Sequence, residues 1–520
     1  MILALSNVHI VQAADLKHIR VGLKSLYNEV ASITIKNEQL SIGYSVNSDY
    51  KQDEVLKSSS GFMFTPFSSY CFTLDKTFTS YQSANSVAKT LGNLGVTAYP
   101  VSVYRKTWKV YVIGGSSNAE AKKAYEKVKG KFGFTYGSIQ SDNKHRILVK
   151  GNSHTFLIDG KVKNAYPQFE AAGATNTETS TVDLGQRKYR GRIEIGCYGK
   201  SKVTAVNVVN IEHYLYGVVP SEMSASWPVE ALKVQAVCAR GYAMKTTSFS
   251  SMSNITSPYT LGDTASNQVY RGYNQESANS NKAVNETSGE TLQYNGEIIS
   301  TYYFSTSGGS TEAVEDVWTQ ALPYLRSVSD IYETTPAKKP WLTTYSASEL
   351  KSLLSKKDYS VDVVKDVIPE IKTASGRVYS LRIQGEKSYA SLQKDSIRSI
   401  LSLPSSKFKI VKYGDIPDKV SVKSKQGTTT RQIQTSYIKS ESGQVAKTGA
   451  DLDQYIVKSA ENISNYPKSA PSSKNTYVFA GMGYGHGIGM SQSGAKGMAL
   501  AGFTYKEILT HYYTGTKIVE

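Results

Sequence analysis

A chain of 520 residues is too long for one small domain, and at about 150 residues per domain it holds roughly three units. An apolar fraction of 40% and a charged fraction of 20% are those of a folded globular protein and exclude disorder throughout. The net charge of +17 is scattered in singles and pairs, which points to a polyanionic environment; no nucleic-acid-binding motif accompanies it, so nucleic acid is not expected as a partner.

The first fourteen residues, MILALSNVHIVQAA, are apolar and close on small residues ahead of Asp15. This is the form of the end of a secretory signal peptide without its usual basic start; a buried strand is the alternative. No run of about 20 apolar residues follows, so the mature chain is not expected to span a membrane. Residues 15–66 read as a β-rich N-terminal segment. Cys71, Cys197 and Cys238 lie far apart with no CxxC pair, which argues against a zinc site or a disulfide framework and leaves each as a small buried apolar residue.

Residues 67–135 read as a compact α/β unit. Tyr70 to Leu74 is a strand, and Ala84, Val87, Ala88, Leu91 and Leu94 recur at helical spacing until Gly95 closes the segment. VTAYPVSVY and WKVYVIG follow as two strands. Ser117 with Glu120 three residues later forms a capping box for a second helix, with Ala121, Ala124, Tyr125, Val128 and Phe132 on one face. From Val182 to Ile211 the short runs KYRGRIEIGCYG and KVTAVNVVNIEHYL read as paired strands. Pro228 then sits where a first helical turn tolerates it, and Val229, Leu232, Ala236 and Ala239 mark a helix buried on nearly all sides.

Residues 331–413 alternate helix-like text such as ASELKSLLSKK with strand-like text such as GRVYSLRIQG, while 415–474 turn to Ser, Thr, Lys and Gln with little periodicity, a loop-rich insertion. Near the end, glycines crowd into GMGYGHGIGMSQSGAKGMALAG. A final helix opens with a Thr504–Glu507 capping box, and Phe503 and Ile508 are placed for a hydrophobic staple.

Among residues that carry chemistry, Glu222 in VVPSEM is the best proton donor, expected in a turn between a strand region and a helix. A helix N-terminus there favours the carboxylate, whereas a general acid needs the proton retained, so burial against Tyr214, Tyr216 or Trp227 has to oppose it. The alternative is a helix-start glutamate serving backbone amides. Arg240, inside the apolar helix, needs a partner, either an anionic or acetamido ligand or a buried carboxylate. Gly483, Gly485, Gly487 and Gly489 alternate around His486, a spacing that allows close backbone approach or unusual φ/ψ, and no GK[ST] ending makes this a phosphate loop. The seven histidines include no helical i,i+4 pair, so a zinc hydrolase centre is not expected. Cys238 lies mid-helix, away from anything that would make it a nucleophile, and the Ser307 region lacks the G-x-S-x-G context of a serine hydrolase.

Four segments in order, VVNIEHYLYGVVPSEMSASWPVEALKVQAVCARGYA, DTASNQVYRGY, STSGGSTEAVEDVW and GYGHGIGMSQSGAKGMALAGFTYKEILTHYYTGT, together resemble the SpoIID/LytB family, strongly over about 180–330 and 476–520. The resemblance implies an α+β, mixed multi-domain protein whose β-rich main domain, 145–520 with the insertion at 415–474, carries a glycan cleft. It implies a lytic transglycosylase cleaving peptidoglycan glycan strands between N-acetylmuramic acid and N-acetylglucosamine with 1,6-anhydro product. Other members are enhancers of an N-acetylmuramoyl-L-alanine amidase, and a cell-wall amidase is then a partner.

The family's catalytic glutamate falls on Glu222 and its helix arginine on Arg240. Gln268 and Tyr270 of the NQVY segment, Ser307, His486, Ser491 and Gln492 are implied to meet substrate. One carboxyl group serves as acid and then base, so no second carboxylate is required. Some members hold a Cys/His zinc site near the DxxxxQVY motif; here Asn267 precedes Gln268 with no Cys or His nearby, and no metal or cofactor is expected. The small unit at 67–135 resembles, in pattern and length, the SPOR class of glycan-binding modules; an unrelated small α/β domain is the alternative. Secretion to a cell wall, with anionic wall polymers balancing the basic charge, completes the reading.

Overall fold

A computed structural model of the chain describes residues 18–46, 49–104, 106–131, 133, 135–142, 144–160, 166–172, 180–247, 258–318, 320–333, 340–412 and 475–520, together with six strands between 419 and 467. The signal-like residues 1–14 and Phe132 lie outside the described residues. The fold is α+β, as the resemblance implies, with several sheets and ten α-helices among the described residues. None of those helices is long and apolar enough to cross a membrane. The chain divides into two compact units, one holding residues 1–291, 298–300 and 519–520 and the other 292–297 and 301–518. That division falls inside the 145–520 span read as one domain.

The first unit contains a seven-stranded sheet in the order Leu261–Gly262, His18–Gly22, Thr204–Asn210, Arg192–Gly196, Gln168–Ala171, Gln39–Val46, Asp49–Lys57. The third strand in this order, TAVNVVN, is buried at every position but the last, so the residues follow no alternating pattern. The polar residue inside it, Asn207, is accommodated because its side-chain amide donates to the carbonyls of Arg190 and Arg192 at 2.9 and 3.0 Å.

An eight-stranded sheet carries the 67–135 segment. Ser69–Thr73, helix α1 (Tyr81–Gly92), Thr97–Ser102, Trp108–Gly115, helix α2 (Asn118–Val128) and Gln140–Asp142 form a split β-α-β arrangement. Tyr81, Ala84, Ala88 and Leu91 form the buried stripe of α1, and full burial of a residue such as Leu91 contributes about 1.5–3 kcal/mol. The Ser117–Glu120 capping box of α2 is present. Helix α2 lies so close to the strand that a Cβ on Gly114 would come within 2.3 Å of Ala121. The sheet does not stop at this segment. Leu157 and Ile158 pair in parallel with Val101 and Ser102, joining it to Thr155–Asp159, Arg146–Lys150, Phe62–Pro66 and Ile33–Ile35.

Three further helices complete this unit: α3 (Ile211–Glu222), α4 (Val229–Thr247) and α5 (Ala278–Asn285). The strand reading of KVTAVNVVNIEHYL is corrected at Asn210, whose side chain accepts from the Glu212 amide at 2.8 Å and caps α3. Tyr214, Leu215, Val218 and Val219 are buried at helical spacing. Pro220 disguised this helix; placed in its last turn, it removes one hydrogen bond without ending the helix. Helix α4 buries Leu232, Val234, Ala236, Val237, Cys238 and Ala239, the nearly all-round burial its sequence implies. Cys71, Cys197 and Cys238 are buried.

The second unit has a core formed by helices Ala347–Ser355 and Asp395–Ile400 with the strands Val364–Lys372, Val378–Gly385, Tyr389–Gln393, Phe408–Val411 and Thr476–Gly481. Between 415 and 474 the chain forms three antiparallel hairpins: Lys419–Ser424 with Gly427–Gln432, Tyr437–Lys439 with Val445–Lys447, and Gln454–Lys458 with Ile463–Pro467. Their strands are too short to stand out as periodicity in a polar stretch. The C-terminal helices are Gln492–Leu500 and Tyr505–Tyr512, the latter with its Thr504–Glu507 capping box in place.

Candidate functional site

Glu222 is the last residue of α3, half-buried, with the extended Met223 as its C-cap. This corrects the expected placement before a helix: α4 begins seven residues later, at Val229. The local field changes sign with it. The C-terminal end of a helix disfavours negative charge, the sense a general acid requires. Against this, the Val269 amide donates to Glu222 Oε1 at 2.7 Å. Tyr214, fully buried two turns earlier on α3, has its hydroxyl held far above the usual phenol range, first by burial and then by the Glu222 charge.

The other candidates in this unit are internal. Gln268 is fully buried; its Oε1 accepts from the Tyr214 hydroxyl at 3.1 Å and its amide donates to the Ala239 carbonyl of α4 at 3.3 Å. Tyr270 is buried and donates to Asn207 Oδ1 at 2.8 Å. Gly217 admits its ring against α3, since a Cβ there would lie 2.6 Å from Tyr270 Cε2. Arg240 is 1% exposed. It forms a bidentate pair with Glu212 at 2.8 and 2.6 Å and donates to the Glu290 carbonyl at 3.0 Å. Of the two partners the sequence allowed Arg240, the structure holds the carboxylate, so its guanidinium ties α4 to the start of α3.

In the second unit, the glycine-rich run lies against residues 302–307 and on Arg377. Gly483, Gly485, Gly487 and Gly489 have φ of 78, 109, 91 and 74°, so both reasons for the spacing apply. A Cβ on Gly489 would come within 2.1 Å of the Tyr302 carbonyl, and one on Gly487 within 2.6 Å of the Arg377 guanidinium carbon. Between these glycines His486 Nδ1 accepts from the Ile488 amide at 3.0 Å, which leaves Nε2–H to donate to the Tyr303 carbonyl at 3.1 Å. Its ring packs on Phe304 and Trp318. Burial pushes the imidazole down to about 4, so it is a neutral donor at physiological pH.

Ser307 and Ser491 are brought together on Glu333, which no local sequence pattern marks. The Glu333 carboxylate accepts from the Ser307 amide, from the Gly308 amide at 2.9 Å and from the Ser491 hydroxyl at 2.9 Å. Ser491 also caps the last-but-one helix, whose first residue, Gln492, is buried. Asp330 accepts from Tyr512 at 2.9 Å, and burial followed by the Glu333 charge raises its carboxyl above the usual range. Beneath the loop, Arg377 donates to the carbonyls of Ser307 and Gly485 at 3.3 and 3.4 Å and lies 4.0 Å from the buried Glu312. Burial lowers this guanidinium to about 10. Glu333 and Arg377 lie 26 and 70 residues from Ser307, and no local spacing announces them.

Residues 199–294 match the family model described as Stage II sporulation protein (SpoIID), and residues 335–428 match a domain of unknown function (DUF8618). The chain is 35% identical over 329 residues to the amidase enhancer of Bacillus subtilis, covering 58% of this chain and 40% of that protein. It is 30% identical over 339 residues to an uncharacterized protein of Brachyspira hyodysenteriae, covering 64% of this chain and 73% of that protein. With stage II sporulation protein D of Bacillus subtilis the identity is 29% over 327 residues, covering 61% and 76%. The chain belongs to the SpoIID/LytB family. It spans about 40% of the amidase enhancer's own length.

Proposed function

We propose that this protein is a peptidoglycan lytic transglycosylase in which Glu222 is the catalytic acid and then base. The observation that carries the reading is the placement of Glu222: a half-buried carboxyl at the C-terminal end of α3, with one oxygen fixed by the Val269 amide at 2.7 Å. The helix end favours the protonated form and the amide favours the ionised one, which suits a group that must both give and take a proton within one cycle.

In the first step Glu222 protonates the glycosidic oxygen between N-acetylmuramic acid and N-acetylglucosamine as the bond to the anomeric carbon breaks. In the second, the Glu222 carboxylate takes the proton of the carbon-6 hydroxyl while that oxygen bonds to the anomeric carbon, closing the 1,6-anhydro ring. No water is consumed and Glu222 ends protonated, as it began. Gln268, Tyr270 and Arg240 act on this site through packing. Ser307, His486, Ser491 and Gln492 belong to the second unit; Ser307 and Ser491 are fully buried and both His486 ring nitrogens are bonded within it, so in this reading the four brace the glycine-rich run and the Glu333-anchored loop. The split β-α-β segment at 67–135 serves in this reading as a SPOR-like glycan-binding module, the chain is secreted to the cell wall, and anionic wall polymers balance its charge of +17.

A second reading, a wall-binding enhancer of an N-acetylmuramoyl-L-alanine amidase, is favoured by the 35% identity to a protein named amidase enhancer. The two part on one experiment, mass spectrometry of stem-peptide-free glycan after incubation with purified wild type and with Glu222→Gln. The transglycosylase reading expects 1,6-anhydromuramoyl product from wild type alone. Absence of product from wild type, with stimulation of a separate amidase, establishes the enhancer.

A further inference from the structure

Residues 267–270 form a short strap in which consecutive residues are each tied down by different partners. Asn267 Oδ1 accepts from the Gly262 amide at 3.1 Å, and its side-chain amide donates to the Tyr242 hydroxyl of α4 at 3.2 Å. Gln268 bridges the Tyr214 hydroxyl on α3 and the Ala239 carbonyl on α4. Tyr270 is held by Asn207 through its hydroxyl, and its amide donates to the Asp263 carbonyl at 3.2 Å. The side chains at 268 and 270 are at most 1% exposed, so these attachments are permanent parts of the core. The residue between them, Val269, presents its amide to Glu222 Oε1.

We propose that Gln268 is a positioning residue for Glu222: by clamping the strap to α3 and α4 it aims the Val269 amide at the carboxyl group. The inference rests on the reading of Glu222 as the catalytic acid. It reassigns Gln268 from a substrate contact to a residue that never touches the glycan. Because Tyr214 lies on the helix that ends at Glu222, the clamp fixes donor and acceptor to the same rigid element. A displaced strap withdraws the amide that aligns the carboxyl group with the glycosidic oxygen, and misplacement on the order of 1 Å costs up to about 100-fold in rate. It also removes a donor that favours the ionised form, so the pH limb governed by the acid moves to higher pH.

The test compares Gln268→Met, Tyr214→Phe and the double variant with wild type, reading kcat, KM and the pH profile of anhydro-product release from stem-peptide-free glycan, with thermal melting in parallel. Gln268→Met strands the Tyr214 hydroxyl and Tyr214→Phe strands the Gln268 side-chain oxygen, whereas the double variant removes both members of that bond, so its melting temperature lies closer to wild type than that of Gln268→Met. The expected result is a kcat lower by roughly 10- to 100-fold in Gln268→Met and in the double variant, with KM within about twofold of wild type and the acid-governed limb displaced to higher pH. If Gln268→Met does not fold, Tyr214→Phe, which keeps the ring and removes only the hydroxyl, is expected to show the same limb displacement with a smaller loss of kcat. A raised KM with unchanged kcat makes Gln268 a substrate contact and overturns the proposal, as does a kcat and pH profile equal to wild type in these variants. Glu222→Gln, assayed alongside, separates the two levels. If it releases product like wild type, the reading of Glu222 itself fails; if it is inactive while the Gln268 variants are normal, only the positioning role fails.

Discussion

Protonation of His486 sets an acid limit on the second unit. The imidazole accepts from the Ile488 amide at Nδ1, packs between Phe304 and Trp318, and is lowered by burial from 6.5 to about 4. An unfolded chain therefore binds a proton between these values that the folded chain does not. The contribution is complete above pH 6.5 and is lost as pH falls toward 4. A shift of this size corresponds to about 3 kcal/mol in all. About 2.5 kcal/mol of it is lost by pH 4.5, and because His486 as a residue is only half-buried the expected loss is about 2 kcal/mol. The assay is denaturant unfolding at pH 7.5 and 4.5, followed by tryptophan fluorescence, for wild type and His486→Gln. The variant keeps a donor and an acceptor without the titration, so wild type is expected to lose about 2 kcal/mol more than the variant over this interval. Parallel losses in the two proteins refute the burial argument.

Other substitutions test the remaining placements. Glu212→Leu leaves the Arg240 guanidinium buried without its carboxylate and is expected to lower stability by about 3–5 kcal/mol in denaturant melts, with Glu212→Leu/Arg240→Met recovering much of the loss. Gly489→Ala, with φ of 74° and a backbone oxygen 2.1 Å from its Cβ, should lower the melting temperature far more than Gly502→Ala. The latter has φ of 93° and open space around it, so it meets only the left-handed backbone cost of about 1–2 kcal/mol. Asp330→Asn removes a buried carboxyl whose charge is disfavoured by burial and by Glu333. Because that carboxyl is raised in the folded state, the variant is expected to gain melting temperature relative to wild type at neutral pH and to lose the advantage as acid protonates Asp330.

What the sequence made legible was whatever is encoded within a few residues. The capping boxes at Ser117 and Thr504 and the all-round burial of α4 follow from local spacing and appear as read. A third capping box, Ser346 with Glu349, carries the same local signal. Pro220 and the β-branched pair Val218–Val219 hide helix α3 in the sequence, so the local pattern points to a helix start near Glu222 where the structure has a helix end, and the sign of the dipole is reversed. The long-range pairs were beyond reach. Nothing local joins Arg240 to Glu212, Ser491 to Glu333 or Val269 to Glu222, because each pair meets only when distant elements pack. The glycine run was legible as a backbone requirement, while the Arg377 guanidinium beneath Gly487 was not.

The central claim is that Glu222 closes a 1,6-anhydro ring with no water entering the bond. Digestion of stem-peptide-free glycan in ¹⁸O-labelled water, read by mass spectrometry of the new ends, tests it most directly. The account expects unlabelled anhydromuramoyl ends from wild type and none from Glu222→Gln. Labelled reducing ends, or equal product from the variant, contradict it.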